Sequence, residues 1–391
     1  MPQVNPGILV WARESAGLDP DEAARKLGIK EGSLRTLESG EAEPTRAQLV
    51  KMASCYRRPL VSFYLPAPPP TASRGEDFRT LPPGSSDDEE RTRQEAVLDT
   101  LLRSIIARQN LLRAAIEDEE ERGPLPFVGS VTMDAGVAAV VASIQRTLTF
   151  TAADYRRAAS PSEAFRLLRQ AAERAGVFVL LLSDLGSHHT ALDLSTFRGF
   201  ALADPIAPFV VINDQDSRAA WSFTLLHELA HVWLGYTGVS NASLSRTVER
   251  FCNQVAAEFL VPSGEFRRLD VGTSTEPGEL AVRVTEFARA RKVSRSMIAV
   301  GLYLNGKISA SQLRELTSTF QAEWAARPAN RTGSPDYWVV RRQRLGDALI
   351  ELTARLMEAG ALTTAKAGRV LGVKPFQVQQ LTSPPIRRRR R

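Results

Sequence analysis

Two histidines four residues apart, with a glutamate beside the first, constrain this chain more than any other feature. His227-Glu228-Leu229-Ala230-His231 is an H-E-x-x-H motif, in a chain of 391 residues with only four histidines. Residues four apart share one face of a helix, so both imidazoles can approach one metal ion. Glu228 lies beside them, in reach of a proton on an attacking water. With histidine this scarce, a chance match is expected on the order of once in several hundred such chains. Phe223, Leu226, Ala230 and Trp233–Leu234 recur at a 3.6-residue period, and Gly235 is a stop signal. The plainer reading is a buried helix with two hydrogen-bonded core histidines.

A catalytic zinc takes three protein ligands and keeps one open position. The next apolar helix starts near Val248 and ends at Pro262, and it offers Glu249 and Glu258. Glu249 is the preferred ligand. Asn253 follows it at i+4 on the same face, where an amide can orient a metal ligand. Glu258 has no such neighbour. The plainer role for Glu249 is a solvated carboxylate in a first helical turn. Cys252, on the apolar side, reads as a small core residue. His188, His189 and Tyr236 are candidates for steadying an oxyanion, with a surface-loop role as the alternative for the two histidines.

The motif, the run Glu249-Arg250-Phe251-Cys252-Asn253-Gln254-Val255-Ala256-Ala257-Glu258-Phe259-Leu260-Val261-Pro262 and the preceding segment Phe197 to Asn213 resemble the ImmA/IrrE metallopeptidases. The resemblance spans about residues 160–265. It implies a gluzincin-like core, with Zn2+ held by His227, His231 and Glu249 and with Glu228 as general base. It also implies a regulatory protease whose substrate is a protein, a repressor of the helix-turn-helix type.

Residues 1–66 read as a bundle of short helices. Asp19-Pro20 is a helix start, Gly28 a turn and Thr45 a second cap. Ala23, Leu27, Gly28, Leu34 and Leu37 together resemble the XRE-type helix-turn-helix, in which the third helix enters the major groove. Ser33, Arg35 and Thr36 would then be the DNA-reading face. Asp19, Asp21, Glu22 and Glu31 crowd that side, and residues 1–66 hold nine basic against eight acidic side chains. Such a near-neutral domain is a weak DNA binder, so binding of protein is the competing reading.

Residues 67–88 read as a Pro-rich linker, and a long helix follows from about Glu89 to Glu121, its acidic end solvated. Gly176 to Leu182 reads as a buried strand, with Phe197–Leu202 and Pro208–Ile212 as a hairpin. The expected metallopeptidase domain covers 89–265, a helical extension 266–324, and a basic region 335–391. That last region carries twelve basic and four acidic side chains, a net +8 within a chain of net +6. There Ala367, Leu371, Gly372, Val378 and Leu381 repeat the spacing of Ala23, Leu27, Gly28, Leu34 and Leu37 at an offset of 344. A second helix-turn-helix near Thr363–Leu381 and a plain helical hairpin are both open readings.

The expected fold is α+β and mostly helical: a helix-turn-helix bundle, a metallopeptidase core with a small sheet, and a helical carboxyl-terminal region. No apolar run approaches the length of a membrane span, the first residues lack a secretory pattern, and two distant cysteines make no disulfide framework. A cytoplasmic protein is expected, acting on a protein substrate, with DNA as a further partner and no membrane. The expected function is zinc-dependent proteolysis in transcriptional or stress regulation. The alternative is a DNA-binding transcriptional regulator whose metal site is sensory or non-catalytic.

Overall fold

The computed structural model describes residues 4–69, 88–120, 122–186, 190–237, 245–325 and 336–383. These fall into two compact units. The first holds α1 (Pro6–Glu14), α2 (Pro20–Leu27), α3 (Glu31–Glu38), α4 (Arg46–Cys55) and a 3-10 turn at Leu60–Tyr64. It also takes the part of α5 (Asp88–Asp118) up to Ile106. The Asp19 side chain accepts from the Glu22 N–H to start α2, and Gly28, at φ 68°, ends it. Only a left-handed residue turns the chain there, and glycine adopts that conformation without steric cost. Thr45 and Gln48 form a capping box for α4. Ile8, Leu9, Ala23, Leu27, Leu34, Leu37, Leu49 and Met52 fill the core between these helices.

The second unit starts with the rest of α5 and continues through α6 (Val137–Leu148), α7 (Ala152–Arg156) and α8 (Pro161–Arg174). Its sheet consists of β1 (Phe178–Leu181), β2 (Gly199–Leu202) and β3 (Phe209–Ile212), in the order β1-β3-β2. The β1–β3 pair is parallel, and β2 runs antiparallel to β3, with Gly199 opposite Ile212 and Leu202 opposite Phe209. Every residue of these strands is buried. That explains their unbroken apolar runs in place of an alternating pattern.

Then come α9 (Arg218–Leu234), α10 (Ser245–Leu260), α11 (Ser263–Arg268), α12 (Pro277–Arg291), α13 (Arg295–Leu304) and α14 (Ala310–Ala325). α12 to α14, in the stretch 266–324 expected as a helical extension, pack into the core of this unit. Leu280, Val284, Ile298, Leu302, Leu316 and Phe320 share one core with Val140, Leu225 and Val255. The Phe266 ring occupies the space that a Cβ on Gly301 of α13 would need, with Cε1 2.6 Å away. Glu265 of α11 accepts from Arg156 Nη2 at 2.6 Å and from Arg291 Nε at 2.8 Å, which ties α7, α11 and α12 together. The chain closes with α15 (Tyr337–Leu345), α16 (Asp347–Glu358), α17 (Thr364–Leu371) and α18 (Val378–Thr382). Among the described residues, no helix is long and apolar enough to cross a membrane.

Candidate metal centre

α9 is a buried helix with polar groups at its centre. From Leu225 to Trp233 every residue is buried, including His227, Glu228 and His231. Burying such groups is costly unless they have partners. The structure supplies partners from α10, which packs along α9. Glu249 Oε2 lies 3.0 Å from His227 Nε2, and Glu249 Oε1 lies 3.0 Å from His231 Nε2. The two Nε2 atoms are 3.1 Å apart. Asn253, one turn after Glu249, presents its Oδ1 to His227 Nδ1 at 2.9 Å. That bond fixes the ring tautomer: Nδ1 carries the hydrogen, and the Nε2 lone pair points into the cluster.

This donor set fits zinc. Two imidazole nitrogens and a carboxylate are the donor types of a catalytic zinc site with one open position. Tetrahedral ligands at about 2.0–2.1 Å from a zinc ion sit about 3.3 Å from one another, close to the separations here. Burial of Glu249 would raise its pKa, but hydrogen bonds and charge from His227 and His231 outweigh that and hold the carboxyl well below the usual range. Burial of His231 works against its charged form, yet Cys252 and Glu249 push its pKa well above the ordinary value. Cys252 itself is raised by burial. Its thiol is thus a buried neighbour of His231 and packs in the core with Val255 and Phe259. Glu258 lies away from the cluster, and its Oε2 accepts from the Ser263 N–H at the start of α11.

The ends of the site are held by backbone. Gly235, at φ 73°, terminates α9. The Gly129 and Val131 N–H groups donate to the Val232 and Trp233 carbonyls, satisfying acceptors that the helix end leaves open. A Cβ on Gly235 would come within 3.1 Å of Gly129 Cα, so the close crossing favours glycine at 235. Tyr236 follows this turn and is partly exposed. His188 and His189 lie outside the described residues.

One contributor escapes a reading by residue type. A Cβ on Gly199 of β2 would lie 2.7 Å from Thr224 Cγ2 and 3.0 Å from Glu228 Oε1. The Glu228 carboxylate therefore occupies space opened by a missing side chain on the neighbouring strand. The available signal was a lone glycine inside a strand pattern, which marks close approach of another group.

In the amino-terminal bundle, Ser33 and Arg35 are exposed on α3 and Thr36 is half-buried. Arg35 is paired with Glu31 on its own helix. The Thr36 hydroxyl donates to the Gly32 carbonyl.

Residues 172–303 match the family model for the IrrE N-terminal-like domain, and residues 9–63 match that for the helix-turn-helix. The first match runs past Pro262 through α12 and most of α13, in line with their shared core. No curated protein and no solved structure matches the chain. The chain carries a metallopeptidase-like domain of the ImmA/IrrE family and, ahead of it, a helix-turn-helix domain of the XRE type.

Proposed function

We propose that this chain is a zinc-dependent endopeptidase that cleaves a cellular protein, a helix-turn-helix repressor by the family resemblance. The observation that carries the reading is the convergence of His227, His231 and Glu249 on one point, with Glu228 between the two histidines on α9. Zinc bound there would polarise the scissile carbonyl and lower the pKa of a water. Glu228 takes the proton from the attacking water and delivers it to the leaving amine. Asn253 keeps His227 in the tautomer that offers Nε2.

The test is Glu228→Gln, which keeps the shape and removes the base. Cells carrying wild type and Glu228→Gln are compared for new protein amino termini, and both purified proteins for zinc content. Zinc is expected in both, with new termini lost in the variant or formed about 10²- to 10⁴-fold more slowly. Glu249→Ala should lose zinc and Glu258→Ala should keep it. The helix-turn-helix match at 9–63 favours a second reading, a DNA-binding regulator whose metal site is sensory. If Glu228→Gln performs the whole cellular function and no termini differ, that second reading replaces the first.

A further inference from the structure

The last helices of the chain repeat the first ones. At an offset of 344, α2 (Pro20–Leu27) maps onto α17 (Thr364–Leu371) without a gap. α3 (Glu31–Glu38) maps onto the 3-10 turn Pro375–Gln377 and α18, which together span Pro375 to Thr382. α1 ends at Glu14 and α16 at Glu358, again 344 apart. The turn geometry repeats as well. Gly28 sits at φ 68°, ψ 36° and Gly372 at φ 63°, ψ 37°. The Ile29 N–H donates to the Ala24 carbonyl and the Val373 N–H to the Gly368 carbonyl, at the same offset. Ile8, Ala12, Leu18, Ala23, Leu27, Leu34 and Leu37 are buried, and so are Leu352, Leu356, Leu362, Ala367, Leu371, Val378 and Leu381.

The closing helix differs. In the first copy α4 follows α3, whereas α18 is the last helix among the described residues. In the second copy α15 comes from upstream and bonds both helix ends. Arg342 Nη2 donates to the Ser383 carbonyl at 3.0 Å and also to the Leu381 carbonyl, while Arg341 Nη2 donates to the Leu371 and Gly372 carbonyls. Cations at the carboxyl ends of α17 and α18 are electrostatically matched to those ends.

We infer that residues 350–382 form a second helix-turn-helix whose exposed α17–α18 face binds duplex DNA. From Ala359 to Arg391 the sequence contains no aspartate or glutamate. Lys366, Arg369 and Lys374 are exposed on α17 and the turn, in positions to meet phosphates. Gln379 and Gln380 are exposed on α18 at the offsets of Arg35 and Thr36. A glutamine amide can bond adenine at N6 and N7 together in the major groove. Gln377 accepts from the Lys374 N–H and so serves the turn. Phe376 is 75% exposed, an apolar group beside these amides suited to a thymine methyl. The face is open to solvent: Phe376, Gln379 and Gln380 border a groove of about 1320 Å³ whose other walls carry Arg166 and Glu173 of α8, Asp336 and Trp338 at the start of α15, Arg342 of α15 and Asp347 of α16, so the acids line the groove beside the reading face and not α17 or α18 themselves.

The arginine run at 387–391 binds any polyanion, so the test reads sequence choice. Full-length protein is used to select from a pool of random-sequence duplexes, and the enriched duplex is then titrated at several salt concentrations. Gln379→Ala with Gln380→Ala should lose the enriched motif and weaken the selected duplex roughly 5- to 150-fold, with the salt slope unchanged. Lys374→Gln should lower the slope by about one and leave the motif intact. Ser33→Ala, Arg35→Ala and Thr36→Ala together should leave the motif intact. All these positions are at the surface or partly so, and folding is checked by circular dichroism. Failure to enrich any motif, or a motif lost with the α3 substitutions and kept with those on α18, overturns the inference.

Discussion

The turn at Gly28 and the turn at Gly372 differ by 5° in φ and 1° in ψ, yet the faces around them carry different charge. Residues 19–39 hold five acidic and four basic side chains, whereas residues 363–383 hold three basic and no acidic ones. On the first face Glu31 occupies Arg35, and Asp21 shares a hydrogen bond with Glu31. On the second, residues 363–383 themselves supply no acidic side chain to compete for the lysines. A few buried small and aliphatic positions plus one left-handed glycine therefore fix the turn, and the surface residues are free to set what it recognises. On charge alone, the XRE-type copy should be the poorer polyanion binder and the copy at the carboxyl end the better one.

The largest effects should come from the shared core. Leu37 and Leu381 are matching leucines, both buried. Leu37→Ala and Leu381→Ala should each cost about 2–5 kcal/mol. The readout is hydrogen exchange of the Ile29 N–H in one and the Val373 N–H in the other, the bonds that close each turn. Equal loss of protection supports two equivalent bundles. If Val373 is already unprotected in the wild-type protein, the second copy is a frayed hairpin and the comparison breaks.

The matching glycines should separate the copies. A Cβ on Gly28 meets nothing within 4 Å, so Gly28→Ala costs only the left-handed strain, roughly 1 kcal/mol. A Cβ on Gly372 would lie 2.8 Å from Arg108 Cζ and 2.8 Å from Arg341 Nη2. Burial and the nearby Arg341 lower the pKa of Arg108 to about 10, so the two guanidiniums already crowd this turn. Gly372→Ala should therefore cost the strain plus about 1–3 kcal/mol of overpacking, and it should dislodge Arg341 from the end of α17. Urea unfolding of the two variants measures the difference. Equal costs would mean that the second turn is not braced by these arginines.

How much of this was legible in the sequence follows the same division. The H-E-x-x-H helix, its stop at Gly235 and the end of α10 at Pro262 follow from local periodicity and punctuation. The bond from Asn253 to His227 crosses between helices, and residue spacing within one helix says only that such a partner is available. Gly199 makes room for Glu228 across a strand–helix contact that no local rule encodes. That α12 to α14 share a core with α6, α9 and α10 was not readable, because periodicity identifies an apolar face without identifying what covers it. The repeat was visible from Ala367 to Leu381 but not in α16, where burial is conserved between copies and identity is not. Leu352 stands for Ile8 and Leu356 for Ala12, while Thr353, at the Leu9 position, is buried because its hydroxyl donates to the Leu349 carbonyl.

The smallest effect tests the charge difference directly. The hydrogen bond and charge of Glu31 raise the Asp21 pKa, while Asp21 and Arg35 hold Glu31 low. As pH falls, Asp21 takes up a proton before an ordinary aspartate would, and the α2–α3 face sheds part of one negative charge. A polyanion should then bind that face more tightly. Between Ala359 and Arg391 there is no carboxylate side chain to titrate, so α17 and α18 themselves should gain nothing from the same change. In a chain carrying Lys374→Gln, Gln379→Ala and Gln380→Ala, residual binding of a duplex should tighten by about threefold or less as Asp21 takes up its proton, an amount set by a single phosphate-scale charge. Adding Asp21→Asn should flatten the profile. A profile that stays equally steep would move the cause away from the Asp21–Glu31 pair, and with it the explanation for the weaker first face.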